Sequence, residues 1–208
     1  NSDGGVHIAG GANTNRLEGN VISDNEENGV SISGSGSDDN VLVGNLIGID
    51  AAGDAPLGNR KVGVQILDGP ERTIVGGTTS AERNVVSANV IGGIEVVGTT
   101  TLDTKVLGNH IGTDRDGDVD LGNGDDGVYV ADGASGTVVG GAGGAGNLIS
   151  GNDGRGIFVD GAGGAATDGI RIEGNRIGTN ADGDRKIGNG TADNTNGGIF
   201  VGRGALNT

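Results

Sequence analysis

The residues best suited to chemistry in this chain are aspartates spaced two apart in one short loop. In the stretch 113–120, TDRDGDVD, Asp114, Asp116, Asp118 and Asp120 alternate and Gly117 permits a sharp turn. Ca²⁺ takes roughly six to eight oxygens from flexible acidic loops, so these four carboxylates are a candidate calcium site. The loop is not a full EF-hand, because no helical pattern flanks it and its twelfth position is Asp125 rather than glutamate. Two sibling loops keep less of the pattern: Asp50 and Asp54 in one, Asn180, Asp182 and Asp184 in the other. Their shared core, [Asp/Asn]-x-x-Gly-Asp, equally suits a turn whose leading side chain bonds nearby backbone N–H groups.

Aromatic residues are the second feature. Tyr129, Phe158 and Phe200 are the only ones, and each is the third residue of a Gly-[Val/Ile]-x-[Val/Ile] motif. The same place earlier in the chain holds His7, Ser31, Gln65 and Glu95. Three rings stacked in one outward column would align neighbouring rungs. As an exposed strip they are also a candidate binding face for sugar rings or a protein partner. Catalysis is not expected. Carboxylate pairs are plentiful in a chain with 28 acidic residues, but no pair is singled out by a break in pattern. His7 and His110 are read as single outward residues too far apart to form a dyad.

The elements that position these residues come from an internal repeat. The Gly-[Val/Ile]-x-[Val/Ile] motif occurs at 5–8, 29–32, 63–66, 93–96, 127–130, 156–159 and 198–201. A second motif, Asn-x-[Ile/Val]-[Ser/Gly], starts at Asn20, Asn45, Asn84, Asn109, Asn147 and Asn175. A third apolar stretch precedes each of these asparagines. Short strands with period-two alternation bury one face each, and one cycle cannot bury that face alone. Stacked cycles share a core. The predicted fold is all-β: a right-handed three-sided parallel β-helix of six full coils plus a partial seventh, in one domain over 1–208. At about 4.8 Å per coil, six coils rise roughly 29 Å. The six leading asparagines share the inward parity and are expected to form an internal ladder, each amide bonding its neighbours one coil away.

The asparagine spacings, 25, 39, 25, 38 and 28, alternate short and long. Even-numbered cycles carry the extra loops at 47–59, 111–123 and 177–189. These are expected two coils apart, about 10 Å by rung spacing, as an acidic ridge without a shared ion. Runs GGAGGAG at 140–146 and GAGGAA at 161–166 read as plain turn filler.

Composition agrees with a solenoid. Glycine makes up 48 of 208 residues, and there is no Cys, Met or Trp. A globular domain has roughly 7% glycine and a core with aromatics, and collagen needs glycine at every third position. A net charge of −15 excludes nucleic acid and anionic membrane surfaces as expected partners and favours cations. No apolar run is long enough to insert in a membrane.

The motifs Asn-x-Ile-Ser-Gly-Asn and Ile-Gly-Thr-Asp-x-x-Gly-Asp resemble those of right-handed parallel β-helix repeat proteins of the pectate-lyase-like superfamily. The resemblance covers the whole chain. It implies the fold and, from the group's many large bacterial or archaeal surface proteins, an extracellular or cell-surface location. The expected function is a structural spacer or filament scaffold, stabilised by Ca²⁺ at the acidic loops. An adhesin that uses the aromatic column, and a fragment of a polysaccharide lyase or hydrolase, are the alternatives. The expected partners are neighbouring coils of a longer chain, or other copies stacked end to end, because exposed parallel edges are normally covered.

Overall fold

A computed structural model describes residues 1, 4–162, 166–191 and 197–202. Residues 163–165, inside the second glycine run, and the closing 203–208 lie outside the described residues. The described strands form three parallel sheets, and each coil contributes one strand to each. The first sheet comprises Val6–Ala9, Val30–Ser33, Val64–Leu67, Ile94–Val97, Val128–Ala131, Ile157–Asp160 and Ile199–Gly202. The second runs from Arg16–Glu18 to Arg171–Glu173, and the third from Val21–Ile22 to Arg176–Ile177. The chain is thus a three-sided parallel β-solenoid of six coils and the first side of a seventh.

Register follows the repeat without slippage: Val6 faces Val30, Val30 faces Val64, and so on to Ile157 facing Ile199. A one-residue slip would turn every inward side chain outward, so the buried face fixes the pairing. Val30, Ile32, Val64, Ile66, Leu42, Val75, Ile47 and Val86 belong to one continuous core that runs along the axis. Burying each such side chain contributes about 1.5–3 kcal/mol. Val43, on the second sheet, is also buried.

The alternation of short and long coils has a local counterpart in the corner residues. The last position of the Asn-x-[Ile/Val]-[Ser/Gly] motif is serine in odd coils (Ser23, Ser87, Ser150) and glycine in even ones (Gly48, Gly112, Gly178). Ser87 Oγ donates to the Thr113 carbonyl (2.6 Å) and accepts from the Gly112 N–H (3.1 Å). Ser23 and Ser150 hold the backbone at Gly48–Ile49 and Gly178–Thr179 in the same way. Each odd-coil hydroxyl therefore grips the neck of the long loop on the next coil. Two coils make one structural unit.

The long loops are hairpins, closed by antiparallel bridges between Ile49 and Pro56, Thr113 and Asp120, and Thr179 and Lys186. Their tips do not stand about 10 Å apart as coil spacing suggests. The Arg115 N–H donates to the Gly53 carbonyl, and the Ala181 N–H to the Gly117 carbonyl, both at 2.9 Å. The short coil between two hairpins has no loop there, so successive tips meet across it.

The hairpins also cover the outer face of the third sheet. Leu46, Ile49 and Val85 make a second small apolar cluster there, with Ala88 and Leu121 packed against it. His110 lies in this column, paired with Val85 and Leu148, and is only 4% exposed. The expectation of an outward, solvated His110 is thus corrected: it points out of the sheet, but the 114–120 hairpin covers it. Burial drives its pKa from 6.5 down to about 4, and the nearby Arg83 charge adds to the shift.

That shift predicts a pH dependence. Above pH 6.5 His110 is neutral in both states. Between pH 6.5 and about 4 the unfolded chain takes up the proton first, so stability falls through this window, by about 3 kcal/mol in all. His110→Leu, which matches Leu46 and Leu148 in the same column, is expected to remove this loss. Urea denaturation at pH 7 and pH 4.5 measures it, and an unchanged pH slope in the variant would refute the assignment.

Candidate functional site

Three sets of residues were expected to carry function or its framework: the corner asparagines, the acidic hairpins and the aromatic column. The asparagine ladder forms. Asn20 Nδ2 donates to Asn45 Oδ1, Asn45 to Asn84, Asn84 to Asn109, Asn109 to Asn147 and Asn147 to Asn175, all at 2.9–3.1 Å. The second proton of each interior amide goes to a carbonyl of the second sheet in the coil before, such as Leu42 for Asn84 and Val75 for Asn109. From Asn45 onward, each Oδ1 also takes the backbone N–H of the preceding ladder residue. A neutral amide supplies both donors and acceptor, which neither carboxylate nor hydroxyl can do.

A second ladder, missed in the sequence, lines the corner between the third and first sheets. It links Asn25, Asn59, Asn89, Asn123, Asn152 and Asn189 at 2.7–2.9 Å. The signal was present: an asparagine stands two residues after each odd-coil serine, and one closes each long loop. The unequal loop lengths hid the common spacing. The third corner only begins a ladder, with Asn15 bonded to Asn40 at 2.9 Å. Thr73, Thr104 and Thr137 then take over, and their buried hydroxyls have no hydrogen-bond partner.

The four aspartates of the 114–120 hairpin serve four different neighbours. Asp114 Oδ1 accepts the N–H of Asp118 (2.7 Å) and of Val119 (2.9 Å) in its own turn. Asp116 lies toward Arg83 and Arg115, lining one groove with them. Asp118 Oδ1 accepts from Asn180 Nδ2 (3.0 Å) and pairs with Arg185 (3.3 Å) on the next hairpin. Asp120 Oδ1 accepts the Gly122 N–H at 3.2 Å, and its carboxyl is pushed up by burial and by Asp153. Among the described residues no group of three or more His, Cys, Asp or Glu is arranged to hold a metal ion.

The siblings show what the leading residue does. Asp50 Oδ1 accepts the N–H groups of Gly53, Asp54 and Ala55, and Asn180 Oδ1 accepts those of Gly183, Asp184 and Arg185. Burial opposes the Asp50 charge, but these backbone bonds outweigh it and hold its carboxyl below the usual range. Since a neutral amide closes the same turn at Asn180, the turn needs an oxygen acceptor and no charge. Asp114→Asn is therefore expected to leave the thermal midpoint unchanged, with added calcium or with chelator. Asp114→Ala is expected to cost about 1–2 kcal/mol from orphaned N–H groups. A calcium-dependent rise in midpoint that Asp114→Asn abolishes would show that the charge serves a cation.

The three rings stack in one column as read, but the strip is not exposed as expected: Phe158 is buried, and Tyr129 and Phe200 are half-buried. The Tyr129 and Phe158 ring centroids lie 5.2 Å apart, and those of Phe158 and Phe200 5.4 Å apart. The guanidinium of Arg155 lies over the Phe158 ring at 3.9 Å, which leaves Phe158 only 8% exposed. Arg155 in turn is held by Asp126, whose carboxylate accepts its backbone N–H at 2.6 Å and its Nη1 at 3.4 Å. Burial raises the Asp126 carboxyl, with Asp125 adding to it and Arg155 opposing it. Beside the rings lies a groove of about 300 Å³, walled by Val62, Ile91, Tyr129 and Phe158 with Glu95, Asp125 and Asp126 along it. Sequence periodicity pointed to the rings, but neither Arg155 nor the groove.

No family model matches the chain, and no curated protein matches it. Among solved structures it is similar to QnrB1, described as a plasmid-mediated fluoroquinolone resistance protein. The two are 12% identical with a TM-score of 0.16, over 81% of this chain and 92% of that one. So low a score bears on neither fold nor function.

Proposed function

We propose that this chain is a non-catalytic structural β-solenoid module, a spacer or filament scaffold of an extracellular or cell-surface protein, built on the pectate-lyase-like pattern that its motifs resemble. The observation that carries this reading is the pair of unbroken asparagine ladders, from Asn20 to Asn175 and from Asn25 to Asn189. Both amide columns continue through every coil they span, and the odd-coil serines lock each odd coil to the even coil that follows it. Such an array ties each coil to its neighbours at two corners, which supports a scaffold role. Its partners in this role are further coils or further copies stacked along the axis.

Incubation with a panel of neutral and acidic polysaccharides tests the reading. No chain scission is expected, and small-angle scattering of the same sample should give a rod with the cross-section of one coil. Scission that is lost in Asp126→Asn would overturn it. The groove beside Tyr129 and Phe158 supports a second reading, in which the scaffold also holds a glycan or a surface protein. Ring faces flanked by carboxylates suit sugar hydroxyls. Glycan-array binding that disappears in Phe158→Ala would favour this reading, and a blank array would leave the scaffold alone.

A further inference from the structure

We propose that the groove on the outer side of the third sheet, between the acidic hairpins and the glycine turn 141–146, binds a small ligand bearing tetrahedral oxyanions, phosphate or sulfate groups. The inference rests on the placement of arginine in a chain of net charge −15. Most described cationic side chains lie within ion-pairing distance of a carboxylate, as Arg16 does with Glu18 and Arg155 with Asp126. Arg83, Arg115 and Arg176 have no such partner among the described residues. These three line two adjoining cavities, of about 620 and 360 Å³, that share Arg83 and Asp116. Three guanidinium charges gathered with only the Asp116 carboxylate lining the groove beside them leave a net repulsion, and an anion in the groove would offset it.

The groove offers the right donors. A guanidinium is a planar fork that meets two oxygens of a phosphate or sulfate at once. On the facing wall, Gly143 and Gly144 both have positive φ, 64° and 94°, and neither backbone N–H meets a protein acceptor among the described residues. Successive amides in such a turn form an anion-binding concavity. This turn is no loose filler. A side chain at Gly144 would strike the Thr78 carbonyl two coils before it, and one at Gly146 the Gly174 carbonyl on the next coil, so contacts on both sides clamp the turn in place.

Charge and size define the ligand. Arg83 and Arg176 belong to corners three coils apart, about 14 Å along the axis, so two or more linked anionic groups engage both better than one does. The larger cavity has the volume of a small-molecule site. The overall negative field repels a long polyanion, and Asp116 keeps one negative charge inside the groove.

Isothermal titration of the full chain with inorganic phosphate, inorganic sulfate, tripolyphosphate and long-chain polyphosphate tests the proposal. Tripolyphosphate is expected to bind saturably, about tenfold or more tighter than inorganic phosphate, and above long-chain polyphosphate. Arg83→Gln and Arg176→Gln should each weaken it about tenfold, Asp116→Asn should strengthen it, and Arg171→Gln, on the second sheet and paired with Glu173, should leave it unchanged. A preference between phosphate and sulfate identifies which oxyanion the groove takes. The proposal is overturned if no probe saturates, if Arg171→Gln weakens binding as much as Arg83→Gln, or if long-chain polyphosphate binds best.

Discussion

Asn109→Ala is expected to destabilise the chain by about 4 kcal/mol, whereas Asn20→Ala in the same ladder should cost about 1 kcal/mol. Asn109 is fully buried. Its Oδ1 accepts the Asn84 N–H (3.1 Å) and Asn84 Nδ2 (2.9 Å), and its Nδ2 donates to the Val75 carbonyl (2.9 Å) and Asn147 Oδ1 (3.1 Å). Truncation leaves those groups buried and unpaired, and each buried orphan costs about 1–3 kcal/mol. Asn20 is exposed and begins the ladder. It donates to Asn45 Oδ1 and the Glu18 carbonyl, but no described donor bonds its Oδ1. Asn109→Asp should fare no better than alanine at neutral pH, since a carboxylate cannot donate and would be buried charged. Urea denaturation of the full chain measures all three. Within each sheet a coil pairs only with its neighbours, so a weakened middle coil should also split the transition into two steps. Equal, small losses for Asn20→Ala and Asn109→Ala would show that the ladder does not hold the coils together.

The second large effect is expected at a glycine whose twin two coils away tolerates the same change. Gly112 and Gly178 occupy the same motif position with φ of 90° and 81°. Alanine at either pays the left-handed backbone cost of roughly 1–2 kcal/mol. At Gly178 no described residue lies within 4 Å of the added Cβ, so the backbone term is the whole expected loss. At Gly112 the Cβ would collide with the Ser150 carbonyl and stand 2.6 Å from Asn152 Oδ1. The chain must then shift either the neck held by Ser87 or the second ladder at Asn152. Gly112→Ala is expected to cost about 4 kcal/mol, with overpacking added to the backbone term. Thermal melts of the two variants side by side test this, and equal midpoints would contradict it.

The comparison of these twins shows where sequence reading stops. Both glycines were legible as corner residues from the motif alone, but the neighbour that makes one of them indispensable is contributed by the next coil. The same limit applied to the asparagines. The ladder from Asn20 to Asn175 sits at a constant offset from a strand and was found by parity. The one from Asn25 to Asn189 is separated from its motif by hairpins in every second coil, so its spacing is irregular along the chain yet uniform in space. His110 was misread for a related reason. Strand alternation gives the face of a sheet on which a side chain lies, but not what covers that face. Leu46, Val85 and Leu148 in the same column were the available hint that something does.

By itself, the sequence determined the coil: three strands per turn, which residues point inward, the first ladder, the aromatic column and the two-coil period. These follow from alternation and recurrence within a few dozen residues, because a short strand that buries one face carries its pattern locally. Only the tertiary structure decided that hairpins two coils apart touch, that the four aspartates of one hairpin face different partners, that Arg155 lies over Phe158, and that Arg83, Arg115 and Arg176 line adjoining grooves. Each of those depends on side chains and loop tips from different coils meeting across the rungs. That meeting is set by how loops of unequal length lean on one another, and local pattern does not encode it.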